Sequence, residues 1–509
     1  MQNLQANSIQ NVNKKLAASI NNRYYERFLL YGFIVFVLRY SQVENMLSEN
    51  TIGCLYSISI AFLASLEIYC MKGKYILFHP TVICSVVIFI LGFSVSNYDI
   101  YLGANPYQRE FSENLMGSDY IKYINEGMFW ANVALIALWL GFHQTKISNM
   151  LFRSLMTQKL LKYIKKDLNF NMPVVNAIYG ISIFSRVFLI ANGVFGFAGA
   201  AKGNGGGVYD NILGLMAIFV SGGSIGLLVY SIRYFNKTSP ITMMLIACGL
   251  EIFFGILSGF KSGLIYPVVI IMFGYIVVHK TLNYRSAAIF LVCGAFLTVV
   301  AFNIVENFRK NISDTSANIE GVDSLVGFTL ESNKNVDVTA DVGYGNMSTL
   351  QSTLARANLS IYNALAFKNL DNPAAAEYAA QTQTTEKILL SPVYFLIPRF
   401  LWSGKPQRQD GSLFYFYFMG ANANTSISPS TIGYISMIYS TWFIIPAFLL
   451  IGILQNVAFS FSKIGFGGLI ITFSLLAALA FIDEFDFILI NMFRNFAIAL
   501  VAQYYLLNK

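Results

Sequence analysis

The sequence predicts an all-α polytopic integral membrane protein, and three observations carry that reading. The 509 residues are 56% hydrophobic and only 12% charged, whereas a soluble domain carries roughly 25% charged residues. Apolar runs of about twenty residues recur along the chain, each long enough to cross ~30 Å of hydrocarbon. These runs are continuous and do not alternate with polar residues, which argues against membrane strands.

Taken in order, the apolar runs lie near 28–44, 51–71, 75–97, 127–145, 174–195, 211–232, 240–258, 262–279, 286–305, 431–456, 465–482 and 486–507. That predicts about 12 transmembrane helices. Residues 1–305 form a membrane bundle of about nine spans. Residues 306–430 form one large hydrophilic loop, and 431–509 hold about three further spans, all within one integrated domain. The first 27 residues are polar and carry Lys14, Lys15, Arg23 and Arg27. No apolar core with a small-residue cleavage site follows them, so the first span is expected to stay as an anchor. Cys54, Cys70, Cys84, Cys248 and Cys293 all fall in apolar runs without metal-ligand spacing. Core packing is expected for them, not disulfides.

The formal net charge of +8 points to cytoplasmic anchoring charge and contact with membrane lipids, not to nucleic acid. With the N-terminus placed in the cytoplasm, inside segments hold Lys72, Lys74, Lys146, Arg153, Lys159, Lys162, Lys165, Lys166, Arg233, Lys237, Lys280, Arg285, Lys463 and Lys509. Short outside loops hold Arg109, Lys122, Lys202 and Lys261. This is the positive-inside pattern. It places both termini in the cytoplasm and the 306–430 loop outside. The basic segment 146–166 reads as an amphipathic helix resting on anionic lipid.

Within the loop, Leu350, Leu354, Ala357, Ile361 and Leu365 recur at helical spacing, and 374–390 also reads as helix after Asn372-Pro373. The polar stretch 311–345 is expected to be irregular. The loop's cations sit among aromatics, as in Pro398-Arg399-Phe400-Leu401-Trp402 followed by Lys405 and Arg408. Arg309 lies just past a span end, and Lys261 follows Gly259-Phe260 where one span ends and the next begins. A guanidinium is planar, always charged, and binds phosphate oxygens in pairs. Lys261, Arg309, Arg399, Lys405 and Arg408 are therefore candidates to hold a lipid diphosphate and stabilise it as a leaving group. Interfacial snorkelling is the competing reading for each alone.

A transfer to a hydroxyl asks for a base near the acceptor. The candidates are Glu306, one helical turn before Arg309, and Asp483 and Glu484 in the acidic hairpin 483–486. An ion pair with Arg309 competes for Glu306, and a solvated turn competes for the hairpin. Charges inside spans are rare and usually functional. Arg39, Glu67, Arg186, Glu251 and Arg494 qualify, with Arg186 and Glu251 deeper in their spans, where they could face a cavity or pair with each other. The segment 424–431 caps a helix start or binds an anion there. The run Phe414–Phe418 could stack on sugar faces or form an aromatic belt. The glycine-rich 203–207 lacks the lysine and hydroxyl ending of a phosphate loop. His79, His143 and His279 all lie near cytoplasmic span ends, so an external histidine base is disfavoured. No external metal site is evident, and neither a metal nor a cofactor is expected.

The Gly259-Phe260-Lys261-Ser262 hairpin, the span leading to Asn303–Arg309, the large outer loop with Pro398–Lys405, and the Ser/Thr-rich 425–431 together resemble Wzy-type polysaccharide polymerases. The resemblance in span count and loop placement covers nearly the whole chain. It implies a GT-C-like membrane glycosyltransferase of O-antigen, lipopolysaccharide, capsule or exopolysaccharide type in the bacterial inner membrane. The donor would be a glycan on undecaprenyl diphosphate, and the acceptor the non-reducing end of another lipid-linked repeat unit. The reaction would be metal-independent, on the periplasmic face, with a chain-length regulator protein as a further partner. Related O-antigen ligases carry an important histidine in the large outer loop, and this loop has none. A lipid-linked oligosaccharide flippase or transporter is the alternative, although transporters usually show two similar halves. A membrane acyltransferase or a structural subunit are further readings.

Overall fold

The computed structural model describes residues 25–71, 76–102, 106–155, 169–192, 222–258, 261–279, 358–382, 384–390, 410–419, 429–480 and 484–506, with a few isolated residues between them. Among the described residues all regular structure is helical and there is no strand. The helices run α1 (25–43), α2 (Glu49–Cys70), α3 (Pro80–Leu102), α4 (Pro106–Met116), α5 (Tyr120–Phe142), α6 (Thr145–Leu155), α7 (Met172–Ala191), α8 (Gly222–Phe235) and α9 (Ile241–Ser258). They continue as α10 (Lys261–His279), α11 (Ser360–Lys368), α12 (Pro373–Thr382), α13 (Thr384–Leu389), α14 (Asp410–Met419), α15 (Thr431–Ile438), α16 (Thr441–Phe461, opening with a 3-10 turn), α17 (Phe466–Ala480) and α18 (Phe485–Leu506). Among the described residues, seven helices are long and apolar enough to cross a membrane: α2, α3, α5, α7, α9, α16 and α18. Shorter apolar pieces lie in α10 and α17. By helix length and hydropathy the chain is a multi-pass membrane protein.

One expected span needs correction. The apolar run at 431–456 is not one span. Its first part is the buried α15, and the spanning helix begins only at Thr441. Ser440 breaks the run: its backbone is extended (φ −176°, ψ 150°) and its Oγ accepts from Trp442 N at 3.3 Å, capping a new helix. Hydropathy cannot see a serine cap inside an apolar run. Of the helix expected at 374–390, Pro373–Thr382 and Thr384–Leu389 are described as α12 and α13, and residue 383 lies outside the described residues. The helix expected over 347–368 is described from Ser360 onward. The stretch 311–345, the 203–207 glycines and most of 286–305 lie outside the described residues.

Side-chain pairs fix the helix directions. Glu49 lies beside Asn125, Ser59 beside Asn132 and Glu67 beside His143, so α2 and α5 run the same way. Trp130 packs on Trp442 and Asn456 donates to the Phe142 carbonyl, so α16 runs with them. His79 packs edge-on against Phe142 while Tyr101 donates to Asn125, so α3 runs opposite. Two ends result. One gathers Glu49, Asn125, Trp442 and the 358–389 helices, and is called the loop end below. His79, His143 and His279 lie towards the other, the histidine end.

The α5 and α16 backbones touch. A Cβ on Gly141 would run into the Leu449 carbonyl, and one on Gly452 into the Leu138 carbonyl. Between membrane helices, where lipid offers no hydrophobic drive for association, small residues allow this close approach. The main core spreads from this seam through Phe89, Phe93, Leu135, Trp139 and Phe448. Cys84 is buried, Cys54, Cys70 and Cys248 are half-buried and Cys293 is exposed, so core packing fails for Cys293. Gly452→Leu is expected to lower stability by about 2–3 kcal/mol or more through overpacking. Gly180→Leu, whose site meets nothing within 4 Å, should be near neutral. Thermal unfolding in detergent checks both, and equal effects would refute the seam.

Candidate functional site

The helices of the predicted loop are packed into the bundle. Among α11 residues, Ser360, Ile361 and the run 363–367 are buried. Polar side chains pin its start. Asn358 Nδ2 donates to Asn97 Oδ1 (3.0 Å), Gln108 Oε1 (3.1 Å) and the Ser96 carbonyl (3.2 Å). Asn97 in turn donates to Ser360 Oγ at 2.7 Å. Buried amides of this kind are tolerated only when their partners are supplied, so the network fixes where α11 sits on α3 and α4.

From there α12 and α13 carry Lys387 to the start of α18. Lys387 is 4% exposed and Asp486 is 0% exposed, with Nζ 3.7 Å from Oδ2. At that distance they form an ion pair, not a direct hydrogen bond. The Tyr434 hydroxyl, from α15, donates to Asp486 Oδ1 at 3.3 Å. Lys387 Nζ also lies 5.7 Å from the Phe487 ring centroid, within cation–π range. Asp486 is in the first turn of α18, where the helix dipole favours a carboxylate. Glu484, 1% exposed, stands two residues earlier, and its carbonyl accepts from Ile488 N. Tyr439 flanks the cluster. Burial raises its phenol above the usual range, a hydrogen bond with Thr385 opposes this, and the Asp486 carboxylate adds to the rise.

Glu484 is thus buried just ahead of α18, two residues before the Asp486 that Lys387 and Tyr434 hold. The solvated turn weighed for the hairpin does not hold for Glu484 and Asp486, because both are buried where α13 and α15 pack on α18. Lys261 opens α10, and its side chain lies outside the described residues. So do Glu306, Arg309, Arg399, Lys405, Arg408 and Asp483. The structure therefore does not place these seven side chains.

Lys387 and Tyr434 had no sequence signal. A lone lysine in a polar stretch and a tyrosine in an apolar run become a site only by packing. Asp486 carried a weak signal as an acid at the head of an apolar run.

Other candidates resolve differently. Of the 424–431 segment, residues 429–431 are described, and Ser430 caps α15. Ser430 Oγ accepts from Ile432 N, while Asn363 Oδ1 accepts from Ser430 Oγ and Gly433 N, both at 3.0 Å. Phe414 and Phe418 pack on Tyr378 at 6.0 and 5.7 Å, as interior contacts between α14 and α12. Arg186 and Glu251 do pair, through two bonds of 2.7 and 2.8 Å, with the guanidinium also donating to the Val220 carbonyl. Gly223 makes room, since a Cβ there would strike both side chains. Arg39 pairs with Glu126, and Glu67 with Arg27.

Removing one member of a buried ion pair costs about 3–5 kcal/mol, and replacing both by apolar residues costs far less. Asp486→Ala is therefore expected to lower thermal stability strongly, and Lys387→Met with Asp486→Leu to recover most of the loss. Additive losses in that double-mutant cycle would show the two residues to be uncoupled. No family model matches the chain, and no curated protein or solved structure matches it, so its chemistry is read from its own residues.

Proposed function

We propose that this protein polymerises lipid-linked oligosaccharide repeat units, as a GT-C-like, metal-independent glycosyltransferase of about 12 spans in the bacterial inner membrane. The observation that carries the reading is the burial of Glu484 two residues before the Lys387–Asp486 ion pair, where α13 docks on the start of α18. A transferase acting on a membrane-borne substrate needs acid–base groups held at the mouth of the bundle, out of bulk water. The charge asymmetry between loops supports a periplasmic loop end.

In this reading the acceptor sugar hydroxyl attacks the anomeric carbon of the donor glycan. The new glycosidic C–O bond forms as the C–O bond to diphosphate breaks. Glu484 takes the hydroxyl proton, with Glu306 and Asp483 as the other candidate bases. Undecaprenyl diphosphate leaves with the bonding electron pair, its charge held by Lys261, Arg309, Arg399, Lys405 and Arg408. Lys387 and Tyr434 hold Asp486 and so position the start of α18. A chain-length regulator would act on the same face.

Deletion of the gene in its host, followed by gel analysis of the surface glycan, tests the proposal. Loss of the long-chain ladder with single repeats still on the surface is the expected result. Loss of even the single repeat, with lipid-linked units trapped inside, would make the protein a flippase. In a deletion strain, Glu484→Gln is expected to cut polymer formation on the order of a hundredfold or more, the usual worth of a general base. A normal ladder at normal protein level would remove Glu484 from the mechanism.

A further inference from the structure

A cavity of about 260 Å³ lies at the histidine end, between the turn that follows α8 and the segment that leads into α7. Asn169, Arg233, Asn236 and Thr238 give it a polar rim, and Phe170 and Ile232 an apolar floor. It belongs to none of the groups placed in the proposed reaction.

The local fold builds the rim. Lys237 takes a left-handed conformation (φ 57°) and closes α8, with Lys237 N donating to the Tyr234 carbonyl and Thr238 N to the Arg233 carbonyl. This is a Schellman closure. It folds the chain back so that Arg233 donates to the Thr238 carbonyl at 2.9 Å. That bond orients the guanidinium while using one of its five N–H groups. Across the cavity, Asn171 N donates to the Leu506 carbonyl at 2.8 Å, which holds the 169–171 segment in place.

Charge at this end is one-sided. Among the described residues, Arg27, Lys146, Arg153, Arg233, Lys237 and Lys463 lie here, opposed by Glu26 and Glu67. Glu67 is already paired with Arg27. A guanidinium and two carboxamides above an apolar floor match an anionic phosphate ester joined to a hydrocarbon body. A sugar would not need the cation, and an apolar ligand would not need the rim. The cavity also sits at the level of span ends, since α7 begins at Met172. Headgroups lie at that depth in a bilayer.

We infer that this cavity binds the headgroup phosphate of an anionic phospholipid from the leaflet at the histidine end. Arg233 and Asn236 contact the phosphate, and Phe170 and Ile232 meet the glycerol and the first chain carbons. Lys237 on the adjoining turn biases the site against a headgroup that carries its own ammonium.

The test is native mass spectrometry of the full chain in neutral detergent, titrated with phosphatidylglycerol, phosphatidylcholine or inorganic phosphate. Retention of one phosphatidylglycerol in preference to phosphatidylcholine is expected. Arg233→Gln should weaken retention roughly tenfold, the loss of a charge-assisted hydrogen bond. Asn236→Asp, at an exposed position that folding does not depend on, should weaken it by like-charge repulsion. Arg153→Gln, on α6 and outside the cavity, should leave it unchanged. Equal retention of the two lipids, or unaltered binding in both cavity variants, would overturn the inference. Displacement of the lipid by millimolar inorganic phosphate would assign the site to free phosphate and overturn the lipid assignment.

Discussion

The contact between the α5 and α16 backbones is the constraint on which the loop end depends. Gly141 and Gly452 let the two helices meet without side chains between them. That closeness sets the position of α5, whose other faces meet α2 and α11. It also sets the start of α16, and through Phe443 against Phe485 it sets the start of α18. A shift of the seam would therefore move Glu484 and Asp486 relative to Lys387. Interior packing this dense transmits displacement instead of absorbing it.

The polar residues inside the bundle obey a second rule. Water is not at hand in hydrocarbon to complete a hydrogen bond, and several buried polar groups draw a partner from another helix. Asn132 bonds Ser59, Thr81 bonds Gln455, and Gln455 also donates to the Leu479 carbonyl. The first two bonds join helices that are far apart in sequence, so they select one packing arrangement among many that satisfy hydropathy alone. Their net worth in stability is modest, averaging about 0.6 kcal/mol in a comparable membrane bundle.

Much of the scaffold was legible before any coordinates, because hydrocarbon thickness imposes a length on every span. The runs at 51–71, 174–195, 240–258 and 486–507 became helices close to those limits, and the run at 127–145 became one that starts earlier, at Tyr120. Arg186 and Glu251 were legible as deep opposite charges that could face a cavity or pair, and the structure pairs them. The loop end was less legible. The division at Ser440 depends on one backbone conformation, and the burial of Glu484 and Asp486 depends on helices some hundred residues upstream. Lys387 has no local pattern at all, since nothing near it in sequence states that an aspartate waits beyond α15.

The Arg186–Glu251 pair bears on how the chain enters its membrane. Arginine at a helix centre costs roughly 2.5–3.5 kcal/mol on insertion scales. Its carboxylate partner is made 65 residues later. At about 5–20 residues per second of synthesis, the guanidinium waits several seconds for neutralisation. During that interval α7 has reason to linger at the insertion machinery, or at the lipid interface, until α8 and α9 follow. Gly223 then lets α8 close against the paired charges. Helices α7, α8 and α9 would thus enter as a cohort, with the ion pair serving as the latch that commits them together.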